Sequence, residues 1–209
     1  MAEETGGARR LLSRPSVYSF VQRALGAREV RRAFIDGHVR PLAGERVLDL
    51  GCGPGDVLDQ MPAVVYTGVD RSARYIAAAT ARSDERATFI CDDLLRTPGP
   101  QGPFDAVISI GVLHHLDDAD AARMMRLAAD ALAPGGRLVT IDPGEVPGQP
   151  WFTRWLIHRD RGANVRQPEE HGLLARACFE KVTVTVRRDL ARIPYAHIIL
   201  EARDPRPQA

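Results

Sequence analysis

A chain of 209 residues with a formal net charge of +1 is long enough for one α/β domain with a sizeable core. That balance sets up no global field toward nucleic acid or an anionic membrane, and nothing approaches the ~20 consecutive apolar residues of a membrane span. Three scattered cysteines, Cys52, Cys91 and Cys178, with no CxxC pair, argue for reduced thiols in a cytoplasmic protein and against a disulfide framework or zinc site. The start, "MAEETGGARR", lacks the apolar centre of a secretion signal. Lys181 is the one lysine in a chain otherwise rich in arginine, which reads as a coding bias, so that runs such as Arg31-Arg32 are solvated faces.

In chain order, residues 17–39 read as helical, with Val17, Phe20, Val21 and Leu25 at helical spacing and a break at Gly26. A short buried strand, 47–50, runs into the loop of Gly51, Gly53 and Gly55, and a helical turn follows as far as Pro62. Strand 64–70 and the alanine-rich helix 73–83 come next, then strands 87–93 and 104–113. Asp118 is placed to cap a helix reaching Ala133, which Pro134-Gly135-Gly136 ends. A fifth strand covers 137–142, and a Pro/Gly-rich stretch bearing both tryptophans leads to a helix over 168–178. Two β-rich runs, 181–188 and 196–203, are joined by a link too short for a crossover helix and should pair antiparallel. Strands alternating with helices imply right-handed crossovers and a mostly parallel sheet.

Acids mark the strand ends: Asp49, Asp70, then Asp92-Asp93. In a doubly wound sheet these ends face the ligand crevice, and a carboxylate ending the second strand can hold the two ribose hydroxyls of a nucleoside. To that point an NAD enzyme fits as well. The loop, however, is GxGxG and not GxGxxG, and Asp49 would oppose the pyrophosphate of a dinucleotide. A cofactor carrying an ammonium and a sulfonium, and no phosphate, is attracted by the same acid.

The segments "VLDLGCGPG", "GVDRS", "FICDDL", "FDAVISIGVLHHLDD" and "LAPGGRLVTIDP" stand in the order of the motifs of the class I S-adenosylmethionine-dependent methyltransferases. The chain resembles that family, closest to its small-molecule branch, over residues 46–143. The resemblance implies an α/β Rossmann-like, doubly wound, mostly parallel seven-stranded sheet with an antiparallel last strand and helices on both faces. It implies S-adenosyl-L-methionine as cofactor, with Asp49, Gly51, Cys52 and Gly53 along the methionine part and Asp70 on the ribose. Arg71 would lie beside the adenine, Asp93 and Leu94 at its edge, and Ile110 against the cofactor. Asp93 is preferred to Asp92 by one position. Tyr18 sits where such enzymes fold a lid over the cofactor, and a helix-packing role is the alternative. One domain over 1–209 is expected: a helical lid at 1–45, the cofactor core at 46–143, an acceptor-side insertion at 144–167, and the last helix and β-hairpin at 168–209.

Methyl transfer from a sulfonium is an in-line displacement, so the protein mainly holds the acceptor in line and dry. A hydroxyl or acidic-carbon acceptor benefits from a general base near neutral pKa. His115 is the first candidate, as the family often has histidine there, followed by His114 and by Asp142 at the end of the fifth strand. No (D/N)PP(Y/F) motif follows the fourth strand, which disfavours methylation of base or glutamine amino groups, and no metal is expected. The stretch 151–166 departs most from the family and supplies Trp151, Trp155, His158, Arg159 and Arg161, with Arg166 as a further fork, for an acceptor pocket that would suit an anionic group. Packing of that stretch onto the sheet is the plainer reading. The expected partner is a small metabolite methylated on oxygen or carbon; nucleic acid is disfavoured, no membrane is involved, and oligomeric state is not readable. The rivals are a non-catalytic cofactor-binding module, an RNA methyltransferase and an NAD(P) oxidoreductase.

Overall fold

The computed structural model describes residues 26–97, 99–100, 102–153, 157 and 164–207. Seven strands form one sheet in the order β3-β2-β1-β4-β5-β7-β6. They are β1 (Arg46–Leu50), β2 (Val65–Asp70), β3 (Ala87–Cys91), β4 (Phe104–Ile110), β5 (Leu132–Pro143), β6 (Phe179–Arg187) and β7 (His197–Pro205). β1 to β5 pair in parallel, while β7 slots antiparallel between β5 and β6. The order reverses between β1 and β4, which puts the ligand crevice beyond their carboxyl ends. The expected sheet, hairpin included, is the one observed.

Strand alternation divides the core in two. Leu48, Leu50, Val107, Leu138 and Leu200 meet Met125 and Ala128 of α3 (Asp118–Ala131) and Ala175 of α4 (Pro168–Arg176). On the other face Val47, Ala106, Ile108, Val139 and Ile199 meet Phe34 of α1 (Ala27–Phe34) and Ile76 of α2 (Ala73–Arg82). A period of two in each strand thus feeds one layer of helices per face. Among the described residues no helix is long and apolar enough to cross a membrane.

Local chemistry moves several boundaries. Gly26, with φ 86°, stands before α1, and a π turn over Ile35–Val39 follows it; the part of the predicted helix before Gly26 lies outside the described residues. The buried Arg137 secures that turn by donating to the carbonyls of Val39 and Arg40 and pairing with Glu45 at 2.7 Å. Asp117, and not Asp118, caps α3: its backbone is extended and its carboxylate accepts from the Asp120 amide at 2.9 Å. Two adjacent acids compete for that position, and the one outside the helical backbone wins. β5 starts at Leu132 instead of 137, because Pro134-Gly135-Gly136 make an irregularity within the β4–β5 pairing and do not precede it. α4 ends at Arg176, two residues early, and opens on Gln167, whose amide donates to Glu170 at 2.6 Å.

Candidate active site

The loop after β1 turns back over β2: the amides of Gly51 and Cys52 both donate to the Val69 carbonyl, at 2.8 and 3.0 Å. Gly51 takes φ 78°, and a Cβ there would come within 2.5 Å of Val112, so both backbone and space demand glycine. Gly53 takes φ 55° with open space on its Cβ side, which leaves the loop's backbone approachable by a ligand. Its amide donates to Asp70 Oδ2 at 3.0 Å, while Oδ1 of the same side chain accepts from Ser72 at 2.8 Å. Asp70 therefore has a structural duty that sequence reasoning missed: it ties the glycine loop to the start of α2. We expect Asp70→Ala to weaken cofactor binding by about 1.5–3 kcal/mol and to lower stability as well. Calorimetric titration alongside thermal melts checks both, and Asp70→Asn should recover more of the stability than of the affinity.

Beneath the loop Asp49 is buried, at 2 % exposure. Tyr66 donates its phenol to Asp49 Oδ2 at 2.6 Å, and Oδ1 is buried without a hydrogen-bond partner among the described residues. Burial, with Asp70 adding to it, pushes the Asp49 carboxyl up to about 7 against the pull of the phenol bond. Burial and the neighbouring acids also push the Cys52 thiol well up, so it is no nucleophile. A buried carboxylate oxygen lacking a donor fits an ammonium group and would repel a pyrophosphate.

Along the crevice, Asp92 is engaged locally by the Asp93 amide and the Thr97 hydroxyl, each at 2.8 Å. Asp93 accepts from Leu95 and faces Arg96, and stays more than a third exposed. Arg71 is exposed, Leu94 packs at the edge of one core layer and Ile110, last in β4, at the edge of the other.

Beyond β4, the short turn Leu113–His115 carries the two histidines. His114 is buried, its Nδ1 2.9 Å from Asp142 Oδ1, which also accepts the His114 amide at 3.2 Å. Asp142 is itself buried near the end of β5, and its Oδ2 has no partner among the described residues. His115 is exposed, its ring 3.9 Å from that of His114. His171 in α4 and His197 in β7 lie within electrostatic reach of Asp142; burial lowers the first and drives the second down to about 4, so both are neutral at pH 7.

Arg166, read as a fork for an anionic acceptor, is instead committed to the fold. It is buried, donating to the carbonyls of Leu113 and Leu116 at 2.8 Å each and pairing with Asp118 at 2.8 Å. It clamps the histidine turn to the start of α4. Arg166→Ala should therefore cost about 2–4 kcal/mol of stability in urea unfolding, because the bonds of a buried guanidinium to the Leu113 and Leu116 carbonyls and to Asp118 are lost together. Trp151 is 79 % exposed and meets Phe152 edge-on, so it does not pack onto the sheet. Tyr18, Trp155, His158, Arg159 and Arg161 lie outside the described residues.

The strand order and the acid-flanked glycine loop define a Rossmann-like, nucleoside-binding α/β protein. Residues 47–136 match the family described as a methyltransferase domain. The chain is 36% identical over 108 residues to the 27-O-demethylrifamycin SV methyltransferase of Amycolatopsis mediterranei, covering 48% of this chain and 39% of that protein. It is 34% identical over 134 residues to the ubiquinone biosynthesis O-methyltransferase of a Caulobacter species, covering 60% and 50%. The crystal structure of human N-acetylserotonin methyltransferase in complex with SAM superposes with a TM-score of 0.67 at 20% identity, over 90% of this chain and 54% of that one, a likeness of fold. The match to the methyltransferase-domain family covers residues 47–136, the segment that carries β1 to β4 and the glycine loop, and the two relatives named are themselves methyltransferases. The chain spans half or less of the length of the two relatives named.

Proposed function

We propose that this protein transfers a methyl group from S-adenosylmethionine to an oxygen of a small metabolite, with His114 as the general base and Asp142 as its orienting partner. The 2.9 Å contact between these two buried side chains beside the crevice carries the reading. The two named relatives, one a methyltransferase of a demethylated oxygen and the other an O-methyltransferase, support oxygen over carbon. S-adenosylmethionine would supply a methyl carbon already activated by its sulfonium. Asp49 and the glycine loop would hold the methionine part, Asp70 the ribose and Asp93 the adenine edge. Asp142 would keep the proton of His114 on Nδ1, so that Nε2 accepts the acceptor's hydroxyl proton as the new carbon–oxygen bond forms.

His115, the first candidate on sequence grounds, gives way to His114 because the carboxylate contact and the burial both fall there. Trp151 and Phe152 form an exposed aromatic pair on the insertion, suited to one wall of an acceptor site. An anionic acceptor group would rely on Arg159 and Arg161, since Arg166 is taken. The test is turnover of methyl-labelled cofactor against pools of hydroxylated metabolites, reading label in product and release of S-adenosylhomocysteine. Label in a methyl ether or ester supports the reading, and label only on nitrogen, or none with any pool, counts against it.

A further inference from the structure

β1 and β2 run parallel with Asp49 beside Gly68, so the two positions share a face of the sheet. Glycine leaves a lane there: a Cβ on Gly68 would lie 2.9 Å from the Tyr66 ring and 2.8 Å from Cys52 Sγ. Through that lane the Tyr66 phenol, held against Phe89 with ring centroids 5.6 Å apart, reaches forward along the strand to Asp49 Oδ2. Both side chains are at most 2 % exposed, so the contact is dry and the carboxyl group cannot turn without breaking it. Oδ1 is then the one oxygen of Asp49 left to accept a bond, and it is buried.

We infer that Tyr66 is a positioning residue for the cofactor: by occupying Oδ2 it presents Oδ1 of Asp49 to the methionine ammonium. The inference rests on the proposed cofactor site. The groups facing Asp49 are Tyr66 and Asp70 of β2 and the Cys52 thiol in the loop, while its β4 neighbour, Ile108, is aliphatic. Burial and Asp70 push the acid up toward neutrality and the phenol bond pulls it down. Because a cation binds the ionised form, affinity should rise with pH through neutrality, and loss of the phenol should move that rise to higher pH.

The experiment is calorimetric titration of S-adenosylhomocysteine, which carries the same ammonium, into wild type, Tyr66→Phe, Asp49→Asn and the double variant from pH 5.5 to 8. Tyr66→Phe keeps the ring against Phe89, and Asp49→Asn leaves the core untouched. Tyr66→Phe is expected to weaken binding on the order of tenfold at pH 7 and to shift the pH midpoint upward. Asp49→Asn should flatten the pH dependence, and adding Tyr66→Phe to it should change affinity by less than about twofold. Equal affinity and pH profile in wild type and Tyr66→Phe would overturn the inference while leaving the site in place. So would an equal loss in both backgrounds, which marks a packing role. Wild type that binds no S-adenosylhomocysteine at any pH removes the site itself, and the inference with it.

Discussion

His114→Ala should lower the turnover number about a hundred- to ten-thousandfold while cofactor affinity stays near wild type. The imidazole is held by Asp142 and lies against His115, while Asp70 holds the glycine loop, so loss of the imidazole should leave the proposed cofactor contacts intact. On the proposed mechanism, the hydroxyl proton then loses its acceptor. Asp142→Ala should reduce turnover by less, because the base survives with its tautomer and orientation unfixed. His115→Ala should change turnover by no more than about threefold, as a side chain outside proton transfer would. Once an acceptor is in hand, steady-state kinetics of the three variants decide between the two histidines. A large loss at His115 with a mild one at His114 would reverse the assignment.

Asp49→Asn should weaken S-adenosylmethionine and S-adenosylhomocysteine by about 2–4 kcal/mol, roughly thirty- to a thousandfold in dissociation constant. The amide keeps an acceptor for the Tyr66 phenol but turns an ion pair with the ammonium into a clash of donors. The cofactor-free protein should respond in the opposite sense. Burial raises the Asp49 carboxyl from its ordinary 3.8 to about 7, so the folded chain holds a proton that the unfolded chain releases between those values. Wild-type stability should therefore fall as pH rises from about 4 to about 7 and level off above, at a cost on the order of 4 kcal/mol. A side-chain amide in its place does not ionise. The variant should gain on wild type across that window and be the more stable protein at pH 8, a stability–function trade of the kind active sites carry. Urea unfolding at pH 5 and pH 8 measures the difference, and a difference that does not grow with pH would contradict it.

Much of the frame was legible because it rests on local signals. The glycine spacing, the acids at strand ends and the apolar runs marked β1, β2 and the hairpin of β6 with β7, while β4 stops at Ile110, short of the expected 113, where Gly111 takes φ 67°. What escaped was set by partners distant in sequence. Nothing near Arg166 tells that its guanidinium meets the carbonyls of Leu113 and Leu116, about fifty residues earlier; among arginines in an insertion it looks like a surface fork. The acid before the glycine loop was read as a draw for a cation, but its burial and the bond to Tyr66 are side-chain geometry. The hint was the glycine two residues after the tyrosine, which means little until β2 is laid beside β1. The Asp117/Asp118 cap and the early start of β5 turned on single backbone conformations, which residue type alone does not decide. The two histidines differ by one position, and only the path of β5 chooses which one meets Asp142.

The central claim is that the loop after β1 takes a phosphate-free, cationic nucleoside cofactor. Calorimetry on the purified chain, with S-adenosylhomocysteine and NAD titrated separately at pH 7.5, tests it most directly. The expected result is one S-adenosylhomocysteine bound per chain in the micromolar range or tighter, with no heat from NAD. Saturable binding of NAD with none of S-adenosylhomocysteine would contradict it.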